Sequence, residues 1–499
     1  MSSITGTEIQ PHAGIVVVGG GLAGLELATA LAEQGAGDVV VLEAGPGDDL
    51  AHIHMERTRD DATHVVFAPE SDPHFHRPWA ADSAPHYTGI SGLRRRLGGR
   101  SLYWHGVILP LEDWALRAPW WPSDVVADLT ESWRGGPSLY KQVTADLMDW
   151  SSRAPWSTGE ASERHALGGQ DFRPLPRACR RAPGEDRWEA YTALHHWRDT
   201  DGRPAPPPGV RVHCRTEVLA VEVRGGTTRG VLVRDAAGAT RAITAGTVVL
   251  CAGTVESTRL AIQALTATGR LSAPRLGGLA DHIVQGFVVR LPTAGGTAAA
   301  RVPRPGSYYV PADPASRSYL RMDVHDDGPG AVLLDVRVTG EQLPNADSVV
   351  ECRPAAALPW QARVRTALLA EDRELIGAQR DVLRDFWRAL AHELGLPPAP
   401  MDFTEFGDPG RDNTLVLPGR TRSQPPGVPE TWTSLLGTED HEGGSLPLGG
   451  VLTSRHEFAD LPGLYAAGPA VFPRLGAANP SLTAIALSRR LAALLARAA

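Results

Sequence analysis

Gly19-Gly20-Gly21-Leu22-Ala23-Gly24 satisfies G-x-G-x-x-G, a spacing in which each glycine has a separate physical task. Gly19 permits a tight turn off a strand, Gly21 lets the backbone approach a pyrophosphate, and Gly24 lets a helix pack closely on a sheet. The first helical N–H groups, around Leu22 and Ala23, then turn toward the phosphates with the partial positive charge of the helix start. Glu43, followed by Ala44, ends the next strand, where a carboxylate accepts hydrogen bonds from ribose hydroxyls. Glycine turns are common, so the motif gains its weight from the strand before it, the helix after it and this acid. On its own it does not separate NAD from FAD.

Histidine is the other residue type with chemistry near neutral pH, and the chain has 17. Most must be ordinary. His52/His54 and His74/His76/His86 lack a matching cysteine or carboxylate frame and read as solvated loop; His195-His196 reads as structural. Cys179, Cys214, Cys251 and Cys352 lie far apart with no CxxC, so reduced thiols and no metal site are expected.

These groups need a scaffold. Ile15–Val18 is a β-branched run suited to a strand buried on both faces. Leu22–Gln34 has helical spacing, Gly35 closes it, and Asp38–Leu42 is the next strand, which makes a βαβ unit. Further strands are predicted at Val210–Cys214, Val218–Val223, Gly230–Arg234 and Thr247–Ala252, with more over residues 285–355. Helices are predicted over Ser257–Thr268, Trp114–Trp150, Gln361–Leu394 and Leu482–Arg497. Residues 48–96 and 405–430 read as loop-rich, and residues 151–210, rich in Pro, Gly and Arg, resist assignment. The 499 residues, 42% hydrophobic and 21% charged, fit a soluble globular chain of two or three domains. A net charge of -8 argues against nucleic acid as a partner. No apolar run reaches the roughly 18–20 residues that span a membrane, and the N-terminus lacks a signal pattern, so a cytoplasmic location is expected.

Five segments, in order, resemble the glucose–methanol–choline (GMC) family of flavoprotein oxidoreductases. The first is the glycine turn. Gly98-Gly99-Arg100-Ser101-Leu102-Tyr103-Trp104-His105-Gly106 resembles the family's segment along the flavin. Thr216-Glu217-Val218, then Ala252-Gly253-Thr254-Val255-Glu256-Ser257, resembles the adenine-contacting strand and the turn that closes the FAD fold. His441-Glu442-Gly443-Gly444-Ser445 resembles the active-site segment. Gly463–Gly468, Phe472-Pro473 and Asn479-Pro480-Ser481-Leu482-Thr483 resemble the C-terminus. Asp281-His282 matches a further segment less specifically. Gly468-Pro469-Ala470 departs from the family's usual Asp-x-Ser, so contacts there fall to backbone. Tyr103 stands near where some members carry a histidine bonded covalently to flavin, which implies FAD held non-covalently.

The resemblance implies an α/β plus α+β architecture: a Rossmann-like FAD-binding domain from residues 1–110, 205–285 and 436–499, and a discontinuous second domain on an antiparallel sheet from residues 111–204 and 286–435. It implies oxidation of CH–OH to C=O on a small polar alcohol such as a sugar, amino sugar, aminocyclitol or other polyol, with oxygen or another electron acceptor. Flavin N5 would take the hydride, His441 the hydroxyl proton, and Asn479 would stabilise the alkoxide while also serving to start a helix. His105 is expected against flavin or substrate; Trp104 is expected to pack. Trp114, Trp120 and Trp121 are expected in the core rather than on a sugar-binding wall. Asp323, Asp326, Asp327, Asp335 and Glu341 would favour a cationic substrate if they faced the flavin. The rival readings are a hydroxynitrile-lyase-like enzyme on the same scaffold, a flavin-binding protein without catalysis, and an NAD-linked dehydrogenase. The sequence does not give the oligomeric state.

Overall fold

In the computed structural model, which describes residues 9–53, 71–81, 87, 91–151, 163–182, 188–292, 302–327, 331–407 and 425–497, the short valine-rich runs pair side by side. Val210–His213, Val39–Leu42, Ile15–Val18, Thr247–Leu250 and Leu464–Ala466 form one five-stranded sheet in that order, every pair parallel. Ile15–Val18 at its centre is buried along its whole length, as a run without alternation requires. The sheet thus draws strands from the beginning, middle and end of the chain. The helix Leu22–Glu33 leaves the central strand and packs against the C-terminal helix Ser481–Leu495. A three-stranded antiparallel sheet, Glu217–Arg224, Thr227–Arg234 and Thr240–Thr244, follows.

The second large sheet has seven antiparallel strands. Their order is Glu430–Thr433, His282–Pro292, Ala331–Glu341, Ser318–Asp326, Gly306–Asp313, Gln170–Pro174, His165–Leu167. Strand side chains alternate faces, and the alternation divides much of this sheet. Phe287, Val289, Leu320, Met322, Leu334 and Val336 pack under Leu383, Phe386, Trp387 and Leu390 of the helix Ala370–Glu393. The opposite parity carries His282, Tyr319, Arg321, Asp323, Asp335 and Arg337. A four-stranded sheet of Arg275–Gly277, Val349–Arg353, Gln361–Arg365 and Trp79–Ala81 packs on the helix Thr254–Ala267.

Two predicted helices are shorter than expected. Gln361–Arg365 is a strand with an exposed–buried alternation, and the helix begins only at Ala370, where Asp372 caps the N–H of Leu369. The period-2 pattern Gln-Ala-Arg-Val-Arg was absorbed into the longer period beyond it. The stretch Trp114–Trp150 is three helices, Asp113–Leu116, Ser123–Thr130 and Leu139–Trp150, broken by a small hairpin at Arg134-Gly135. Among the described residues, no helix is long and apolar enough to cross a membrane.

Gly24 tests the closeness of helix and sheet. A Cβ placed there would lie 2.0 Å from the Gly19 carbonyl oxygen, a backbone atom that cannot swing away. Gly24→Ala is expected to cost about 1–3 kcal/mol by overpacking, read as a shift in the urea midpoint at unchanged m. An unchanged midpoint would show that the turn has room to spare.

Candidate active site

A cavity of about 860 Å³ lies between the strand ends of the parallel sheet and the inward face of the seven-stranded sheet. Gly19, Gly21, Leu22, Ala23, Glu43 and Ala44 line one end. Val218, Ala252 and Gly253 also line the cavity. Gly99, Arg100, Ser101, Trp104 and His105 line it too, as do Gly468, Pro469, Asn479, Pro480 and Ser481. His441 also opens onto it. Gly24, Gly98, Gly106 and Leu482 stand behind the wall. Gly98 donates its N–H to the Gly20 carbonyl at 2.7 Å, Gly106 sits against Ala178, and Leu482 is fully buried.

The glycine turn fits a dinucleotide. Gly19, at φ +103, would drive a Cβ to 2.6 Å from the Cys251 carbonyl oxygen, so only glycine turns the strand there. A Cβ on Gly21 would meet nothing within 4 Å, because it would project into the cavity where the helix begins. That leaves bare backbone facing an open cradle, as an approaching pyrophosphate needs. The Glu43 carboxylate accepts from the N–H groups of Gly20 (2.9 Å) and Gly45 (2.7 Å), which ties the strand end to the turn. Burial raises its pKa against those bonds. Tyr103, also on the wall, is pushed up to about 12, mainly by burial.

At the far end a chain of hydrogen bonds fixes its own protons. His282 Nε2 lies 3.0 Å from the Gly476 carbonyl, which only accepts, so Nε2 carries the hydrogen. The His282 Nδ1 is then bare and accepts from His441 Nδ1 at 2.8 Å. His441 in turn has a bare Nε2, which accepts from Asn479 Nδ2 at 3.1 Å. Asn479 Oδ1 accepts from the Tyr319 hydroxyl at 3.0 Å, which sets the orientation of the amide. Burial holds both imidazoles neutral: His282 falls to about 3, with His441 as the second cause, and His441 to about 4, where Arg100 and Arg321 add to burial and Glu442 opposes it.

The frame behind this chain rests on Arg100, expected along the cofactor, and on residues from several other segments. Arg100 donates to Glu442 at 2.7 Å, pairs with Asp440 at 2.9 Å and caps the Gly92 carbonyl at 2.8 Å. Glu442, buried, also accepts from Tyr87 and Ser91, and its carbonyl accepts from Thr254. Gly443 and Ala280 exchange backbone bonds of 2.9 and 3.0 Å, which lays Asp281-His282 beside His441. Glu341, fully buried, holds Arg474 with both oxygens and accepts from the Gly476 N–H, and so positions the carbonyl that meets His282. His282 had one signal in the sequence, the Asp281-His282 match. Tyr319 had none, and Glu341 stood out only as one acid among several, because their roles come from strand register.

Asp281, His282 and His441 are a group of metal-type donors among the described residues. Two nitrogens on one tetrahedral ion stand about 3.3 Å apart, whereas the two Nδ1 atoms are 2.8 Å apart, a hydrogen-bond distance. The Asp281 oxygens accept from the N–H groups of His282 and Gly437. His74 lies 3.4 Å from Asp49 and His76 is 3.2 Å from Arg95; His54 and His86 lie outside the described residues.

His105 faces the cavity with its pKa well below the usual value, through burial and then the guanidinium of Arg177. Trp104 packs on the core and donates to the Tyr191 carbonyl at 2.8 Å. Trp114, Trp120 and Trp121 do not line the cavity; Trp121 lies 5.6 Å from Phe472, ring to ring. Asp323, Asp326 and Asp335 do line it, but Asp323 pairs with Arg321 and Asp335 with Arg337. Asp327 pairs with Arg290, and Glu341 with Arg474.

Residues 14–55 match the model of the FAD binding domain. No curated protein matches the chain. Among solved structures, pyridoxine 4-oxidase from Mesorbium loti superposes with a TM-score of 0.58 at 18% identity, covering 96% of this chain and 98% of that one. A formate oxidase structure gives 0.57 at 13%, covering 99% of each chain. A variant of the Aspergillus oryzae RIB40 formate oxidase, whose mutation bears on FAD modification, gives 0.58 at 14%, also covering 99% of each. With the glycine turn, the two sheets and the cavity between them, the chain has the fold of the glucose–methanol–choline flavoprotein oxidoreductases, with an FAD-binding domain that opens at Gly14.

Proposed function

We propose that the chain oxidises an alcohol, CH–OH to C=O, on a small polar substrate, with non-covalently held FAD. The observation that carries this reading is the bare His441 Nε2, held beside the Asn479 amide on the cavity wall. A base must present a lone pair, and the bonds from Gly476 through His282 to His441 leave the lone pair on the nitrogen next to the cavity. A substrate hydroxyl entering between the two groups donates its hydrogen to His441 Nε2 and accepts from Asn479 Nδ2. Bound FAD supplies the acceptor for the hydride that leaves the carbinol carbon. His441 holds the hydroxyl proton at Nε2, and Asn479 steadies the oxygen as its negative charge develops. Tyr319 keeps the amide turned so that Nδ2, not Oδ1, faces the reacting oxygen. The two structural neighbours, both oxidases, favour oxygen as the final acceptor.

Anaerobic mixing with alcohols tests the reading. A substrate should bleach the flavin stoichiometrically, and admission of air should restore it if oxygen is the acceptor. A non-redox lyase or a catalytically silent flavin protein would leave the absorbance unchanged. His441→Ala should retain bound flavin while its reduction slows roughly 10²–10⁴-fold, the usual worth of a positioned base. Reduction at the wild-type rate would sink the mechanism.

Two further outcomes follow from the hydrogen-bond chain. Tyr319→Phe removes the donor to Asn479 Oδ1 and should slow reduction about 3–10-fold, the worth of one hydrogen bond, with flavin still bound. The rate of reduction should depend on pH in one direction. Protonated His441 is inactive, and its pKa near 4 keeps it unprotonated above that value. The rate should stay level through pH 6.5 and fall only as the pH approaches 4; an acid limb centred near 6.5 would contradict the assignment.

A further inference from the structure

The inward face of the seven-stranded sheet breaks a rule of strand pairing. Arg321 lies directly opposite Arg337, and Asp323 directly opposite Asp335, so like charges face each other across adjacent strands. Such pairs are unfavourable, and a locally broken rule marks a functional site more often than an accident. Within each strand the acid answers the arginine two residues away. Arg337 also lies over the Trp432 ring at 5.2 Å, which fixes its plane.

A third guanidinium tips the balance. Arg177 is 7% exposed and lines the same cavity, and its buried Nε has no hydrogen-bond partner. No carboxylate lies within ion-pair distance of it among the described residues. Its backbone pairs with Val107, two residues from His105, so the residue is anchored near His105 on the cavity wall. Burial lowers its pKa to about 10, with Arg321 the next cause; Asp323 opposes both and Arg337 adds to them. Glu439 and His325 also line the cavity; Glu439 acts on Arg337 and His325 on Asp323. Arg321 and Arg337 thus have carboxylates at hand, and Arg177 is the buried arginine of the three without one at ion-pair distance.

We propose that Arg177, Arg321 and Arg337 receive an anionic group, a carboxylate or a phosphate, on the alcohol substrate. The chain's substrates are then hydroxy acids or phosphorylated alcohols, not neutral or cationic polyols. The inference rests on the reading of alcohol oxidation above and narrows its substrate class. Position supports it: Tyr319, which holds Asn479, and Arg321 share one strand face, one repeat of about 7 Å apart. Guanidinium forks suit oxyanions, and a buried cation needs such a partner.

Binding can be tested without turnover. The FAD-loaded protein is titrated calorimetrically with inorganic phosphate and with acetate at fixed ionic strength, chloride serving as control. Saturable binding of one or both is expected, and the preferred ion separates phosphorylated from carboxylate substrates. Arg177→Gln should weaken it about 10–100-fold, the worth of charged hydrogen bonds, and Arg177→Lys less. Ligand-free Arg177→Gln should melt no lower than wild type, since it loses an unpaired buried charge, and the anion should raise the melting temperature of wild type only. Absence of saturable binding, or equal binding by wild type and Arg177→Gln, overturns the proposal. In flavin reduction, anionic alcohols should show KM about 10–100-fold below their neutral counterparts. If neutral alcohols reduce the flavin equally well and Arg177→Gln changes nothing, the anion site falls and alcohol oxidation stands. If anions bind but no alcohol bleaches the flavin, the site stands and the oxidation reading fails.

Discussion

The Gly476 carbonyl decides the protonation of everything beyond it. It accepts from His282 Nε2, and because a carbonyl has no hydrogen to give, each later bond in the chain has only one direction. Two neutral imidazoles, one amide and one phenol therefore settle into a single arrangement, His282 to His441 to Asn479 to Tyr319. Burial protects that arrangement, since a proton on either ring would add a charge where desolvation is costly. The carbonyl is held in turn by Glu341, which grips Arg474 and the Gly476 N–H. A buried carboxylate with no ring contact thus governs a lone pair several bonds away.

This chain joins pieces that lie far apart in sequence. Asn479 precedes the C-terminal helix, His441 sits in a segment fastened by Arg100 and Thr254, and His282 and Tyr319 belong to the antiparallel sheet. The parallel sheet brings a bare glycine turn to one end of the cavity, and the other sheet brings the acid–base groups and the arginines to the opposite end. Strand alternation makes this possible. One parity of the sheet is spent on packing under the helix Ala370–Glu393, and the other is left to polar chemistry.

How much of this could be read from the chain depended on how local each signal was. The glycine turn, Glu43, and the strands Ile15–Val18 and Val39–Leu42 are contiguous and follow from residue type and spacing. His441 and Asn479 stood out through segments that resemble known flavoproteins, and the structure sets them 3.1 Å apart. Tyr319, Glu341 and Arg177 were not legible, because their meaning lies in cross-strand register and in the absence of a partner. Gln361–Arg365 was misread because five alternating residues were joined to a stronger helical pattern. The acids at 323 and 335 were noticed, but their charge could not be weighed without Arg321 and Arg337 beside them.

The same two ends of the cavity also differ in how they meet negative charge. At the glycine turn, phosphate would be met by backbone N–H groups and a helix start, which are neutral in sum and cost little to leave exposed when no ligand is present. At the sheet face, charge is met by guanidinium groups, two of them already answered by Asp323 and Asp335 and one not. A partial charge suits a cofactor that stays bound, because its affinity comes from many contacts spread along its length. A full, unanswered charge suits a ligand that enters and leaves, because occupancy then changes the local energy sharply. The positive field also bears on His441, where Arg321 and Arg100 help to keep the ring unprotonated. An anion seated among the arginines would weaken that field and raise the basicity of His441, so that filling the anion site would ready the base beside it.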